Sequence, residues 1–135
     1  MSNRTILVVD DEAAQRELMR TIFRQEAYTV LEAPDYDEAL AVQQEHLGEI
    51  DLLLIDLSLP GGNGYDLSNA LLAVEPHLKV LIVSWPAGAE ICKFVEMSVA
   101  DVHFLQKPFQ TQELLDRVKA VTESPDPFAG VASVL

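Results

Sequence analysis

The sequence is poor in cysteine and in long apolar runs. One cysteine, Cys92, occurs among 135 residues, so no disulfide can form within the chain and a reducing, cytoplasmic location is expected. Cys92 is interpreted as a small buried residue rather than a reactive thiol. The segment Met1–Thr5 is too short and polar for a signal peptide. No apolar run approaches the roughly 18 residues of a membrane span, so no membrane contact is predicted.

Basic residues are also scarce. Nine lysines and arginines stand against 22 acidic residues, which gives a net charge of −13. A chain this acidic repels nucleic acid and anionic lipid at long range, so no direct nucleic-acid binding is expected. The same charge attracts divalent cations and basic partners. With 49% hydrophobic residues, the composition is that of one folded domain rather than a disordered chain.

Short apolar runs that end in polar residues recur along the chain and predict buried strands of a parallel sheet. These runs are Ile6–Val9, Thr29–Ala33, Leu52–Ile55, Val80–Val83 and Phe104–Leu105.

Apolar residues at helical spacing fill the intervals between the runs. They are Ala14, Leu18 and Ile22; Tyr36, Leu40 and Leu47; Leu67, Leu71 and Val74; Ile91 and Val95; and Leu114, Val118 and Val121. Five successive strand–helix units predict an α/β fold, a doubly wound five-stranded parallel sheet of the flavodoxin-like (βα)5 type with strand order 2-1-3-4-5. The predicted domain covers residues 4–122, and residues 123–135 are interpreted as a C-terminal tail or the beginning of a linker.

Polar residues stand at the carboxyl ends of four predicted strands, where open α/β sheets bind their ligands. They are Asp10, Asp11, Asp56, Ser84 and Lys107. Clustered carboxylates repel one another unless a cation joins them, and hard oxygen ligands suit Mg²⁺. Asp56 is the best candidate nucleophile for a phosphoryl group, because the glycine-containing loop that follows it lets backbone approach closely. Lys107 and Ser84 can contact the phosphoryl oxygens.

Each of these residues also has an explanation without function. Asp10 and Asp11 can cap the first helix, and Asp56 can be a turn residue. Ser84 alone fits a satisfied hydroxyl, and Lys107 alone fits a solvated surface lysine. Their joint occurrence at successive strand ends favours the functional interpretation.

Four segments resemble the signatures of response regulator receiver domains in two-component signalling, in the same order and spacing. They are ILVVDDE (Ile6–Glu12), DLLLIDLSLPGGNGYDL (Asp51–Leu67), VLIVS (Val80–Ser84) and FLQKPF (Phe104–Phe109). The resemblance implies a phosphoacceptor switch that supports its own phosphorylation, not a turnover enzyme.

The resemblance also implies a role for each matching residue. Asp56 matches the phosphoacceptor, and Lys107 and Ser84 match the lysine and hydroxyl that contact the phosphoryl group. Asp11 matches a direct Mg²⁺ ligand and Asp10 its acidic neighbour, which usually acts through water. Asp56 and the backbone carbonyl of Ser58 complete the implied metal ligands. Ser84 and Phe104 match the switch residues that move on activation, and Trp85, which follows Ser84, is grouped with them as a predicted switch residue.

The implied partners are a sensor histidine kinase or a histidine phosphotransfer protein as donor, and a downstream protein. The downstream partner, or a second copy in a homodimer, is expected on the face made by the predicted fourth helix, fifth strand and fifth helix. No DNA-binding or enzymatic domain is recognised after Val121. The chain is therefore interpreted either as a single-domain regulator or as part of a hybrid kinase or longer regulator.

Trp85 departs from the family pattern, which usually has alanine or glycine at this position beside the phosphorylation site. It is expected to narrow the site and lengthen the phosphorylated lifetime, and it is the feature that supports a rival interpretation, a binding module without a phosphate cycle. A haloacid-dehalogenase-type phosphatase is disfavoured because Ser58, not an acid, lies two residues after Asp56. A flavin carrier is disfavoured because Asp10 and Asp11 would repel the flavin phosphate.

Overall fold

The computed structural model describes residues 4–56, 64–84, 102–106 and 109–123. The described strands are β1 (Thr5–Val9), β2 (Thr29–Ala33), β3 (Leu52–Asp56), β4 (Lys79–Ser84) and β5 (Val102–Gln106). The described helices are α1 (Ala13–Gln25), α2 (Tyr36–Glu45), α3 (Gly64–Val74) and a last helix (Thr111–Glu123). The predicted helix around Ile91 and Val95 lies outside the described residues. Glu123, the first residue of the predicted tail, is the last residue of the last helix, and the rest of that tail lies outside the described residues.

The strands form one parallel sheet in the order β2-β1-β3-β4-β5. The predicted flavodoxin-like arrangement is confirmed, with β1 at the point where the strand order reverses. Each predicted apolar run falls within a strand, and β2 has the predicted bounds Thr29–Ala33. Runs that are apolar on both faces form strands here because helices cover both sides of the sheet.

Alternation along the strands divides the interior into two cores. Leu7, Leu53 and Ile82 belong to a cluster with residues of α2 and α3. Ile6 and Leu54 belong to a second cluster with residues of α1 and the last helix. Because successive strand residues point to opposite faces, β1, β2, β3 and β4 each contribute to both clusters.

Four of the five predicted helical patterns lie within the described residues and are confirmed as helices, but several of their apolar residues do not face a core. Leu114, Val118 and Val121 of the last helix are buried, as expected. Leu18 is 53% exposed, and α1 instead buries Met19 and Phe23. Leu47 lies beyond the end of α2 and is exposed, as is Val74 at the end of α3. The buried positions Met19 and Phe23 each lie one residue beyond the predicted Leu18 and Ile22.

The C-terminal end of α1 adopts a Schellman arrangement with alanine where glycine is usual. The backbone N–H of Tyr28 donates to the carbonyl of Phe23 at 3.1 Å, and that of Ala27 donates to Arg24 at 3.2 Å. Ala27 has φ 68°, in the left-handed region. The rings of Phe23 and Tyr28 meet edge to face with centroids 5.8 Å apart, which supplies the hydrophobic contact typical of this motif.

Candidate functional site

The strand register brings the polar strand ends to one edge of the sheet. Val9 of β1 pairs with Ile55 of β3, so Asp10 and Asp56 follow at the same level on neighbouring strands. Asp56 in turn pairs with Val83 of β4, so Ser84 lies one residue further along the next strand. Neighbouring strands lie about 4.8 Å apart, which places the three backbones within reach of one small ligand.

Asp10 is the buried acid of this edge, with 3% of its surface exposed. Its carboxylate oxygen Oδ1 accepts a hydrogen bond from the backbone N–H of Glu12 at 3.0 Å. Its own N–H donates to the carbonyl of Ala33 at the end of β2, at 3.2 Å. The carboxylate therefore shapes the loop before α1, but neither Asp10 nor Asp11 occupies the N-cap position that the alternative interpretation gave them. Glu12 itself occupies the N-cap position without a side-chain capping bond.

Arg16 of α1 holds the same loop from the other side. Its Nη1 donates to the backbone carbonyl of Asp10 at 2.6 Å. Its Nε lies 3.7 Å from Oε1 of Glu32 on β2. Arg20, one helical turn further on, donates from Nη1 to Oε2 of Glu32 at 2.6 Å. One glutamate thus anchors two arginines, and one of these arginines reaches the acidic loop.

Sequence reasoning missed Arg16 and Glu32. A signal was present, because residues four apart share a helix face, and Arg16 and Arg20 have that spacing. The spacing does not tell which way the face points. The direction is set by the rotation of α1, which buries Met19 and Phe23 and places the two arginines beside Glu32 of β2.

Asp11 is exposed, next to the buried Asp10. A buried and an exposed carboxylate, at the level of a third aspartate on β3, form a set of hard oxygen donors that fits Mg²⁺ with several retained waters. Among the described side chains, no three His, Cys, Asp or Glu residues are grouped to hold a metal ion. The side chain of Asp56 is not one of those described.

The other predicted site residues are located in part. The backbones of Asp56 and Ser84 lie at the ends of β3 and β4, and that of Phe104 lies in the middle of β5, but the side chains of all three are outside the described residues. Ser58, Trp85 and Lys107 also lie outside them. The roles assigned to these residues stay predictions.

Two open cavities lie at the opposite edge, where the strands begin. They measure about 440 Å³ and 360 Å³ and share Arg4. The first mixes Lys119 with Asp116 and Glu123, and the second mixes Lys79 with acidic residues. Neither contains a predicted site residue, and the mixed charge indicates no class of ligand. Separately, no helix in the described ranges has the length and apolar character needed to cross a membrane.

Comparison with known proteins shows which family this chain resembles. Residues 6–119 match the family model of the response regulator receiver domain. The phosphate regulon transcriptional regulatory protein PhoB of Pseudomonas aeruginosa is 35% identical over 128 residues, which is 94% of this chain and 55% of PhoB. The chain thus spans about half the length of the curated relatives it matches.

Solved receiver domains have the same fold. A CheY-like receiver domain protein from Methanospirillum hungatei superposes with a TM-score of 0.80 at 26% identity, over 90% of this chain and 95% of that one. The receiver domain of the hybrid histidine kinase CckA superposes with a TM-score of 0.74 at 34% identity, over 88% of this chain and 99% of that one.

Proposed function

Because this chain belongs to the response regulator receiver domain family of two-component signalling, we propose that Asp56 is its phosphoacceptor and that transfer to Asp56 requires Mg²⁺. The observation that carries the proposal is the strand register. It sets the backbone of Asp56 level with that of the buried Asp10, at the strand end where the loop with Asp10 and Asp11 leads into α1.

Asp10, Asp11, Asp56 and the backbone carbonyl of Ser58 are the proposed Mg²⁺ ligands. When bound, the ion neutralises negative charge on the incoming phosphoryl group. The protein contributes placement, since the loop that carries Asp10 and Asp11 is held by backbone and side-chain hydrogen bonds before any cation arrives. A held loop loses little further entropy when the ligand binds.

In the proposed transfer, a carboxylate oxygen of Asp56 attacks phosphorus while the bond from phosphorus to the donor nitrogen breaks. The donor is a phosphohistidine of a sensor histidine kinase or a histidine phosphotransfer protein, and its imidazole leaves and takes up a proton. The ammonium of Lys107 and the hydroxyl of Ser84 bind phosphoryl oxygens and stabilise their charge. The product is an acyl phosphate on Asp56, which water slowly hydrolyses.

The proposed output is a change of protein surface. Ser84 and Phe104 respond to the added negative charge and bias the face made by the predicted fourth helix, β5 and the last helix between two states. A downstream protein or a second copy of the chain binds this face. With a net charge of −13, this domain makes no direct contact with nucleic acid. Regulation of transcription, which the name of PhoB states for that protein, would require parts beyond the span matched here.

The test is detection of phosphorylation by intact-mass spectrometry, with acetyl phosphate as donor, with and without Mg²⁺. We expect one phosphoryl group on the wild type with Mg²⁺, and none on Asp56→Asn, because an amide is not a nucleophile here. Asp37→Asn is the matched control, since Asp37 is an exposed aspartate in the first turn of α2. It should behave as the wild type does.

If acetyl phosphate gives no phosphorylation, the assay is repeated with a phosphorylated histidine phosphotransfer protein. This second donor shows whether Trp85 merely keeps small donors out or the chain does not accept a phosphoryl group at all. A wild type that stays unmodified with both donors would refute the proposal and favour the phosphorylation-independent binding module. Phosphorylation that persists in Asp56→Asn would place the acceptor elsewhere.

A further inference from the structure

The contact between Arg16 and Asp10 acts on a specific part of the acidic loop. The carbonyl that accepts the 2.6 Å hydrogen bond from Arg16 belongs to the peptide group between Asp10 and Asp11. A planar peptide rotates as a unit, so the direction of this carbonyl sets the backbone torsions on both sides of it. The side chain of Arg16 is itself only 18% exposed, which limits the conformations it can adopt.

We propose that Arg16 is a positioning residue that aims the carboxylates of Asp10 and Asp11 at the cation. The inference rests on the proposed function, since it assumes that these carboxylates bind Mg²⁺. Arg16 touches neither phosphoryl group nor metal in this account. It acts through the peptide that joins the two acids, much as partners behind metal ligands orient the ligands themselves.

Three independent contacts fix that peptide and its neighbours. The N–H of Asp10 is tied to Ala33 at the end of β2, and Oδ1 of Asp10 to the N–H of Glu12. The carbonyl of Asp10 is tied to Arg16, whose guanidinium is anchored by Glu32, also on β2. The loop is therefore attached to the edge strand β2 twice, directly by the N–H of Asp10 and indirectly through Arg16. The planar fork of arginine suits this double task, since it can donate to a carbonyl and to a carboxylate at once.

Charge alone and positioning predict opposite changes in the affinity for Mg²⁺ when Arg16 is removed. Arg16 is a positive charge beside a cation site, so its removal makes the site more negative and, by charge alone, raises the affinity for Mg²⁺. If Arg16 positions the ligands, its removal lowers the affinity in spite of the charge change. Arg20 offers the matched control because it pairs with the same Glu32 but makes no described contact with the Asp10 carbonyl.

The experiment is a Mg²⁺ titration of the full chain at fixed ionic strength, followed by calorimetry and by the fluorescence of Trp85, the one tryptophan in the sequence. For Arg16→Met we expect Mg²⁺ binding weaker by roughly 10-fold, the lower end of what loss of such partners costs. For Arg20→Met we expect binding equal to or tighter than that of the wild type. Asp11→Asn defines the signal that remains when the specific site is lost.

Arg16→Lys guards against a variant that fails to fold, which circular dichroism would show. It keeps the charge, but a single ammonium cannot span both the Asp10 carbonyl and Glu32, so we expect an affinity between those of wild type and Arg16→Met. Wild-type affinity in Arg16→Met would overturn the inference. If Arg16→Met does not fold, wild-type affinity in Arg16→Lys overturns it. In both cases the proposed function stands, whereas absence of specific Mg²⁺ binding in the wild type would remove the proposed metal site itself.

Discussion

Replacing Ala27 by glycine should stabilise the protein. Ala27 follows the end of α1 with φ 68°, where an L-residue with a Cβ is strained. The backbone hydrogen bonds from Ala27 and Tyr28 to Arg24 and Phe23 do not involve the methyl group, so glycine keeps them. The edge-to-face contact between Phe23 and Tyr28 also stays. The substitution thus removes strain without removing a contact of the motif.

The magnitude follows from two opposing terms. The left-handed conformation costs alanine about 1–2 kcal/mol relative to the right-handed one. Glycine gives back about 0.4–1 kcal/mol, because it enlarges the conformational freedom of the unfolded chain. The expected net effect is a free energy of unfolding about 0.5–1 kcal/mol higher. For a chain of this length that corresponds to a melting temperature higher by roughly 2–5 °C.

The assay is equilibrium unfolding in urea and thermal unfolding, both followed by circular dichroism. Ala41→Gly is the control, since Ala41 is exposed within α2 and the chemical change is the same. There glycine should lower the free energy of unfolding by about 1 kcal/mol. Opposite signs at the two positions would establish backbone conformation as the cause. Destabilisation of similar size at both positions would refute the reasoning.

Two further predictions concern a buried amide and the lone tryptophan. Gln43 is fully buried, and its Nε2 donates to Oε1 of Glu75 at 2.9 Å. In Gln43→Glu a carboxylate would face the carboxylate of Glu75, so the free energy of unfolding should fall by about 3 kcal/mol or more. Gln44→Glu, one residue on and exposed, should change it by no more than about 0.5 kcal/mol in the same urea titration, and equal losses would contradict the explanation. Trp85→Ala should shorten the lifetime of the phosphorylated state if Trp85 shields the acyl phosphate from water. An unchanged rate of dephosphorylation, measured by intact mass over time, would show that it does not.

Much of the sheet was predictable from the sequence because its central strands are short, continuous apolar runs. Leu52–Ile55 is apolar throughout, and a buried run of four residues has the length of a strand covered on both faces rather than that of a typical helix. The helices were predictable in existence but not in orientation. Leu18 fits a core position by spacing, yet it is exposed while Phe23 is buried, because the packing of α1 against the sheet sets its rotation.

Buried polar contacts were beyond sequence reasoning. Gln43 looks like a surface residue of an amphipathic helix, but it is fully buried and joins α2 to the carbonyl of Leu71 in α3 at 3.0 Å. The acids at the strand ends could be predicted because parallel strands bring their carboxyl ends together. The support of those acids by Arg16 and Glu32 could not, since it depends on how a helix is rotated against a strand 12 or more residues away.

Because β1 and β3 are apolar on both faces, their side-chain pattern does not fix which residues of the two strands pair, and the polar residues at the strand ends do. A strand with one polar face resists slippage, because a shift of one residue turns its apolar side chains to water. β1 gains no such protection, since Ile6–Val9 is buried on both sides and a shifted pairing would bury it equally well. A shift in one direction would draw Asp10 among apolar side chains, and a shift in the other would draw in Arg4. The backbone N–H of Thr5 donates to Oδ2 of Asp51 at 2.8 Å, and the N–H of Asp51 donates to the carbonyl of Thr5 at 2.9 Å, which marks where the pairing starts. We therefore expect Asp10, the acid proposed to bind a cation, also to keep neighbouring strands from pairing out of register, so an apolar substitution at Asp10 should loosen the alignment of the sheet as well as the site.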